Sequence, residues 1–357
     1  MKEEAEILFG RQGAIATVTL NRPKALNSLT YEMLQRLGEK LDAWKADPDV
    51  AAVVIEGAGE KSFCAGGDIR ALYDAKQAGN FGYLAEFYRD EYVINHAIAT
   101  YPKPYIALID GYTMGGGAGV SVHGSHRVAT ERTRFAMPEV GIGLFPDVGG
   151  SYFLSRCPGQ TGLFLGLTGA IVTAADAIHA GIATGHVASP SLEDLKTALA
   201  SASWTGGEGD RDIASAVIDG FATAPDPAGS VIEANRMVID DCFMGDSIEH
   251  IVDALAADGG EWAAATIDQM MSKSPTSLKV ALKEIRRGRS LDLAGCMVME
   301  YRLSQSFMRG RDFWEGVRAV IVDKDKNPKW SPAFIGDVDD QEVANYFESL
   351  GDADLKL

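Results

Sequence analysis

Apolar positions set the first elements. Residues 5–9 and 14–20 are rich in β-branched side chains and predict two strands, divided by Gly10 and Gly13. Asn21-Arg22-Pro23 ends the second. Thr30 is placed to cap a helix whose apolar stripe is Leu34, Leu37, Leu41 and Trp44, reaching about residue 46. Ala52 to Ile55 reads as a short buried strand before the loop Gly57-Ala58-Gly59. Residues 82–99 predict a helix with Leu84, Phe87, Tyr88 and Val93 on one side, and Pro104 to Leu108 predicts a further buried strand. Thr173 to Ala180 predicts a small helix capped by Thr173 and stopped at Gly181. Ser274 is placed as a cap with Pro275 at the first helical position and Gly288 past the end. Asp312 and Glu315 have the spacing of a capping box.

Two glycine loops interrupt this pattern. Phe63-Cys-Ala-Gly-Gly-Asp68-Ile69 is small and flexible, with Asp68 placed to cap the helix after it. Gly111 to Gly119 follows a strand and precedes a helix of small residues. It lacks the Lys-Ser/Thr ending of a phosphate loop and the dinucleotide glycine spacing. Close packing of two elements explains a glycine run as well as a ligand does. The order strand, strand, helix thus repeats with two loops, each able to supply one free N–H. Two converging N–H groups make an oxyanion hole.

The stretch Phe135 to Gly150 carries two carboxylates, Glu139 and Asp147, eight residues apart among apolar residues, two prolines and four glycines. Prolines and glycines at this density exclude an amphipathic helix and predict a loop leading into a short helix. Carboxylates in apolar surroundings are desolvated, which raises their pKa and suits proton transfer near neutrality. The bland alternative is that both acids cap helices.

The chain has 357 residues and a net charge of −17. An acidic chain of this kind argues against nucleic acid or an anionic membrane as the main partner. Its four cysteines, Cys64, Cys157, Cys242 and Cys296, are scattered without a CxxC pair, which fits a reducing compartment. The acidic start, Met-Lys-Glu-Glu-Ala-Glu, does not resemble a signal or transit peptide, so the expectation is cytoplasmic. No stretch is apolar for long enough to span a bilayer. The Gly/Pro/Ala/Asp-rich stretches 201–210 and 222–230 predict a boundary between a core at 1–200 and a helical C-terminal region at 201–357.

Several motifs in order resemble the enoyl-CoA hydratase/isomerase (crotonase) superfamily: Asn21-Arg-Pro with Ala25-Leu-Asn27, Phe63 to Asp68, Gly111 to Gly117, and Met137-Pro-Glu139 with its glycine loop. Within it, Gly143 to Gly150, Ser274 to Leu278, Met299 to Ser304, Asp312 to Ala319, Asp323 to Lys326 and Pro328-Lys-Trp330 resemble the 3-hydroxyisobutyryl-CoA hydrolase subfamily. The resemblance spans nearly the whole chain and is thinnest at about 200–270. It implies an α/β fold, a crotonase-type spiral of repeated ββα units with a helical C-terminal region. It also implies hydrolysis of a short β-hydroxyacyl-CoA thioester, with CoA as part of the substrate and no separate cofactor or metal. The implied roles are specific. Gly67 and Gly116 give N–H groups to the thioester oxygen. Glu139 is nucleophile or general base, and Asp147 is the second carboxylate. Lys24, Ala25, Leu26, Ala65, Asp68 and Ile69 lie along CoA. Trimers or hexamers are common in the superfamily, so a homo-oligomer is an expectation.

One departure is informative. Hydratases of this family carry a glutamate two residues after the triple glycine, where this chain has Gly119. Hydration needs two carboxylates on one water; thioester hydrolysis needs an oxyanion hole and one base or nucleophile. A hydratase or isomerase using Glu139 and Asp147, and a non-enzymatic CoA-binding protein, are the rival readings. His123 and His126, three apart on an expected helix, are weak metal candidates without a third ligand. Cys64 reads as a buried filler or a nucleophile. Lys279, Lys283, Arg286 and Arg287 read as a solvated helix end or a site for CoA phosphates, and Phe313 and Trp314 as core or interface.

Overall fold

The computed structural model describes residues 5–357. The chain forms two compact units, each built from three separate stretches. One takes the chain up to Asp68, Val93–Phe135 and Val172–Ser230; the other takes Ile69–Tyr92, Ala136–Ile171 and Val231–Leu357.

The first unit is α/β. Its main sheet has the order β1 (Ile7–Gln12), β2 (Ile15–Leu20), β3 (Ala52–Gly57), β5 (Tyr105–Ile109), β7 (His126–Ala129) and β9 (Gly185–His186). Only β1 and β2 pair antiparallel; the other neighbours are parallel. A second sheet orders β4 (Ser62–Cys64), β6 (Tyr112–Met114) and β8 (Arg134–Ala136). The strands β3, β5 and β7 are therefore each followed along the chain by one strand of the small sheet. That is the repeated ββα turn the sequence implies. One face of the main sheet, with Ile15, Val54, Ile106, Leu108 and Val128, is covered by Leu195 and Leu199 of the Leu192–Ser201 helix and Ile218 of the Asp210–Asp219 helix. Burial of these apolar side chains is the main force holding the unit.

Local signals set the element ends. Thr30 accepts from the Met33 N–H at 3.3 Å and starts the Tyr31–Ala46 helix. Thr173 and Asp176 form a capping box before Ala174–His179. Gly10 does not divide strands as expected. It lies inside β1 opposite Thr17, and a Cβ there would sit 2.7 Å from the Thr17 hydroxyl. His123 and His126 do not share a helix either: His123 follows the Gly116–Val122 helix, and His126 opens β7 and bonds Ser215.

The second unit is helical. Its share of the Phe81–Ala99 helix buries Leu84, Phe87, Tyr88 and Tyr92, and also Glu91. Val93, expected on that face, is 39% exposed instead. Ser274 caps the Pro275–Gly288 helix through the Ser277 N–H, and its hydroxyl donates to Asp312 at 2.6 Å. Gly288 closes that helix rather than following it; a Cβ there would lie 2.1 Å from the Ser151 carbonyl oxygen. Asp312 and Glu315 make no capping box. Asp312 accepts from Ser274 and from the Ser331 N–H, and Glu315 is taken by Arg318 at 2.8 Å.

Candidate active site

In the first unit the sequence folds two glycine loops side by side. Strands β4 and β6 run parallel, Ser62 beside Tyr112 and Cys64 beside Thr113, so the loops after them leave the same edge. A Cβ on Gly117 would lie 2.2 Å from the Cys64 carbonyl oxygen, so only glycine allows this approach. Gly66 takes φ +111° and Gly115 φ +49°, and the Gly66 Cβ position is 3.8 Å from the Gly116 nitrogen. Among the described residues, neither the Gly67 nor the Gly116 N–H donates a hydrogen bond. Gly116 is also the first residue of its helix, where N–H groups are unpaired. Two free donors on neighbouring loops are what an oxyanion hole would draw on.

Cys64 is fully buried, with its thiol 3.6 Å from the Gly66 carbonyl oxygen, and is a filler of the loop. Gly119 is buried in the helix, so that position offers no carboxylate.

The turn at Pro23–Ala25 is bound to the first glycine loop. Leu26 and Asn27 both adopt left-handed backbone, at φ 52° and 57°. The Ala65 N–H donates to the Leu26 carbonyl at 3.0 Å, and the Asp68 N–H donates to that of Leu29 at 2.8 Å. Lys24, Ala25, Leu26, Ala65 and Asp68 thus share one region, while Ile69 begins the Ile69–Gln77 helix. Two residues that the sequence reading left without a role hold this region. Asn27, fully buried, donates to the carbonyls of Ala58 and Ser62 and accepts from the Arg22 N–H. The Arg22 guanidinium bonds the Ser28 carbonyl and pairs with Asp68 at 2.9 Å. Asp68 is therefore an ion-pair partner as well as the residue before a helix.

In the second unit, Glu139 begins a short 3₁₀ turn after Pro138, and Asp147 precedes the Gly150–Leu154 helix. Both carboxylates are 5% exposed. The Tyr92 hydroxyl donates to Asp147 Oδ2 at 2.9 Å. Oε2 of Glu139 is buried with no partner among the described residues. Burial pushes the Glu139 carboxyl well above the usual range, and the charges of Asp147 and Glu91 push it further. Asp147 is raised by burial too, against the pull of the Tyr92 hydrogen bond. Glu91 is raised by burial and by Asp147. The structure therefore brings Asp147 close enough to oppose the ionisation of Glu139. One of such a pair holds a proton while the other accepts one, which suits acid–base work near neutrality.

Sequence reasoning missed four members of this cluster: Glu91, Tyr92, Glu284 and Glu300. Both Glu284 oxygens are buried without partners. Glu300 accepts from the Gly149 and Ser151 N–H groups and from the Ser151 hydroxyl, and burial still pushes its carboxyl up to about 8. The available signal was an acid on an otherwise apolar helix face, as at Glu91 between Tyr88 and Tyr92.

The basic cluster on the Pro275–Gly288 helix is internally engaged. Lys279 pairs with Glu249 and Arg286 with Asp246, while Lys283 and Arg287 lie over the Phe347 ring at 5.2 and 4.5 Å. Phe313 and Trp314 are buried core. Among the described residues no three His, Cys, Asp or Glu side chains gather as a metal site, and no helix is long and apolar enough to cross a membrane. All four cysteines are buried and free.

A family model described as enoyl-CoA hydratase/isomerase matches residues 15–347. The chain is 47% identical to the mitochondrial 3-hydroxyisobutyryl-CoA hydrolase of Rattus norvegicus, over 99% of this chain and 92% of that protein. It is 45% identical to the mitochondrial enzyme of that name from Homo sapiens, over 99% and 91%. Among solved structures, a carnitinyl-CoA dehydratase from Mycobacterium thermoresistibile superposes with a TM-score of 0.90 at 40% identity, covering 99% of both chains. The cytoplasmic expectation is overturned here, because these curated relatives are named mitochondrial. The paired glycine loops and buried carboxylates fit what the full-length matches indicate: the chain belongs to the enoyl-CoA hydratase/isomerase family.

Proposed function

We propose that this protein hydrolyses the thioester of 3-hydroxyisobutyryl-CoA, or a similar short β-hydroxyacyl-CoA, to the free acid and CoA. The observation that carries the reading is a buried pair of opposed carboxylates, Glu139 and Asp147, in a chain 45–47% identical over 99% of its length to curated 3-hydroxyisobutyryl-CoA hydrolases. The Gly67 and Gly116 N–H groups bind the thioester oxygen as it gains negative charge. Glu139 either attacks the carbonyl carbon, giving a mixed anhydride that water cleaves, or takes a proton from water as it attacks. In both routes the carbon–sulfur bond breaks, the thiolate leaves and is protonated, and one water is consumed to give the free acid and restore Glu139. Asp147, oriented by Tyr92, binds the 3-hydroxyl or assists the proton transfer. Lys24, Ala25, Leu26, Ala65, Asp68 and Ile69 line the CoA, which belongs to the substrate; no further cofactor is needed. The acyl-CoA is a small-molecule partner, and assembly into a homo-oligomer is part of the proposal.

The rival reading is hydration of an enoyl-CoA, favoured by the similarity to solved proteins named carnitinyl-CoA dehydratase and enoyl-CoA hydratase. Glycine at position 119 opposes it. The test follows thiol release from 3-hydroxyisobutyryl-CoA with a thiol reagent, with crotonyl-CoA hydration measured in parallel. Thiol release without hydration is expected. Hydration without thiol release overturns the reading and makes Asp147 the replacement for the missing glutamate.

A further inference from the structure

The loop that carries Asp147 is held in a costly shape. Val148 takes φ +54° and is 1% exposed. Left-handed backbone at a β-branched residue is an outlier that persists only where surrounding structure enforces it. The enforcing group comes from far along the chain. Glu300, fully buried on the Leu293–Arg309 helix, accepts from the Gly149 N–H at 2.6 Å, the Ser151 N–H at 3.0 Å and the Ser151 hydroxyl at 2.5 Å. These donors stand at the start of the Gly150–Leu154 helix, directly after Val148. The Gly150 N–H also donates back to the Asp147 carbonyl at 2.8 Å. The Asp147 side chain is fixed by Tyr92, and its backbone by a turn that Glu300 closes.

We infer that Glu300 is a positioning residue for Asp147: it latches the strained Val148 turn through Gly149 and Ser151 and so sets where the Asp147 carboxylate points. This rests on Asp147 being the second carboxylate of the proposed hydrolase. A carboxyl group is required, because three donors converge on two oxygens and both of them accept. A glutamine keeps one acceptor and turns an NH₂ toward at least one of these donors. A shift of about 1 Å in a reacting group can lower a rate about a hundredfold.

The test has two arms. In the first, kcat/KM for thiol release is measured on 3-hydroxyisobutyryl-CoA and on isobutyryl-CoA for wild type, Glu300→Gln, Asp147→Asn and the double variant. Glu300→Gln is expected to lose about ten- to a hundredfold on the hydroxylated substrate. It should also change the ratio between the two substrates in the same direction as Asp147→Asn. In the Asp147→Asn background it should cost less than about twofold, as expected for residues acting through one another. Equal fractional losses in both backgrounds, or an unchanged ratio, overturn the inference. The second arm is amide hydrogen exchange of the segment 147–153, which needs no activity. Faster exchange there in Glu300→Gln is expected, and unchanged protection overturns the latch. If wild type releases no thiol, the proposed function fails while exchange still reads the latch. Should Glu300→Gln fail to fold, Ser151→Ala removes only the hydroxyl bond. It is expected to give a smaller change in the same direction in both arms, and no change in either overturns the inference.

Discussion

At the scale of single residues, the distinctive feature is Glu139. A carboxylate oxygen buried without a partner costs stability, and proteins keep such groups where chemistry needs them. Its proton affinity is raised by the removal of water first and by Asp147 second. Changing it to glutamine keeps the shape and removes the titration. Glu139→Gln is expected to lower kcat/KM for thiol release about a hundred- to ten-thousandfold, the span of general acid–base contributions. CoA affinity, measured by calorimetric titration, should stay within about twofold, because the CoA contacts proposed above lie elsewhere in the chain. Turnover close to wild type would remove Glu139 from its proposed role.

At the scale of elements, the two glycine loops depend on the close approach of β4 and the Gly116–Val122 helix. A methyl on Gly117 would meet the Cys64 carbonyl at 2.2 Å, and backbone on both sides must then move. Losing one donor of an oxyanion hole costs about a hundred- to a thousandfold in kcat. Gly117→Ala is expected to lose activity on that order. Gly209→Ala, where an added Cβ meets nothing within 4 Å, should leave turnover unchanged. Equal activity in both variants would show that the approach does not shape the donors. The same elements show which features the sequence made legible. Caps such as Thr30, Ser274 and Thr173 with Asp176 were readable because their partners lie three residues away. Gly10 was misread because the residue that explains it, Thr17, is a cross-strand neighbour. Asp312 and Glu315 had capping-box spacing, but Ser274 and Arg318 draw them elsewhere. Glu91, Glu284 and Glu300 were missed for the opposite reason. An acid on a helix normally marks the solvated face, and only the packed structure shows these buried.

For the whole molecule, a net charge of −17 coexists with several carboxyls kept out of water. In the unfolded chain they ionise near 4. In the folded protein, burial makes Glu91, Glu139, Asp147 and Glu284 hold their protons to higher pH, and Glu300 to about 8. Between those limits the native state binds more protons than the unfolded state, so stability falls as pH rises. His126 works in the other direction but lower down: burial keeps it neutral, and its cost appears only as pH falls below about 6.5. Over a window from pH 7 to 8.5 His126 is silent and the slope comes from the carboxyls. The buried thiols of Cys157, Cys242 and Cys296, which burial also raises, add a share of the same sign near the top of that window. The melting temperature is expected to fall by about 2 °C or more across it, given the usual relation between free energy and melting point. Glu284→Gln replaces a carboxyl with two unpartnered oxygens by a neutral group of the same shape. It should raise the melting temperature at pH 8.5 and flatten the slope. A melting temperature that is constant or rises over this window, in wild type and variant alike, would mean that the buried carboxyls do not retain their protons on folding. The proton-sharing chemistry assigned to the cluster would then lose its physical basis.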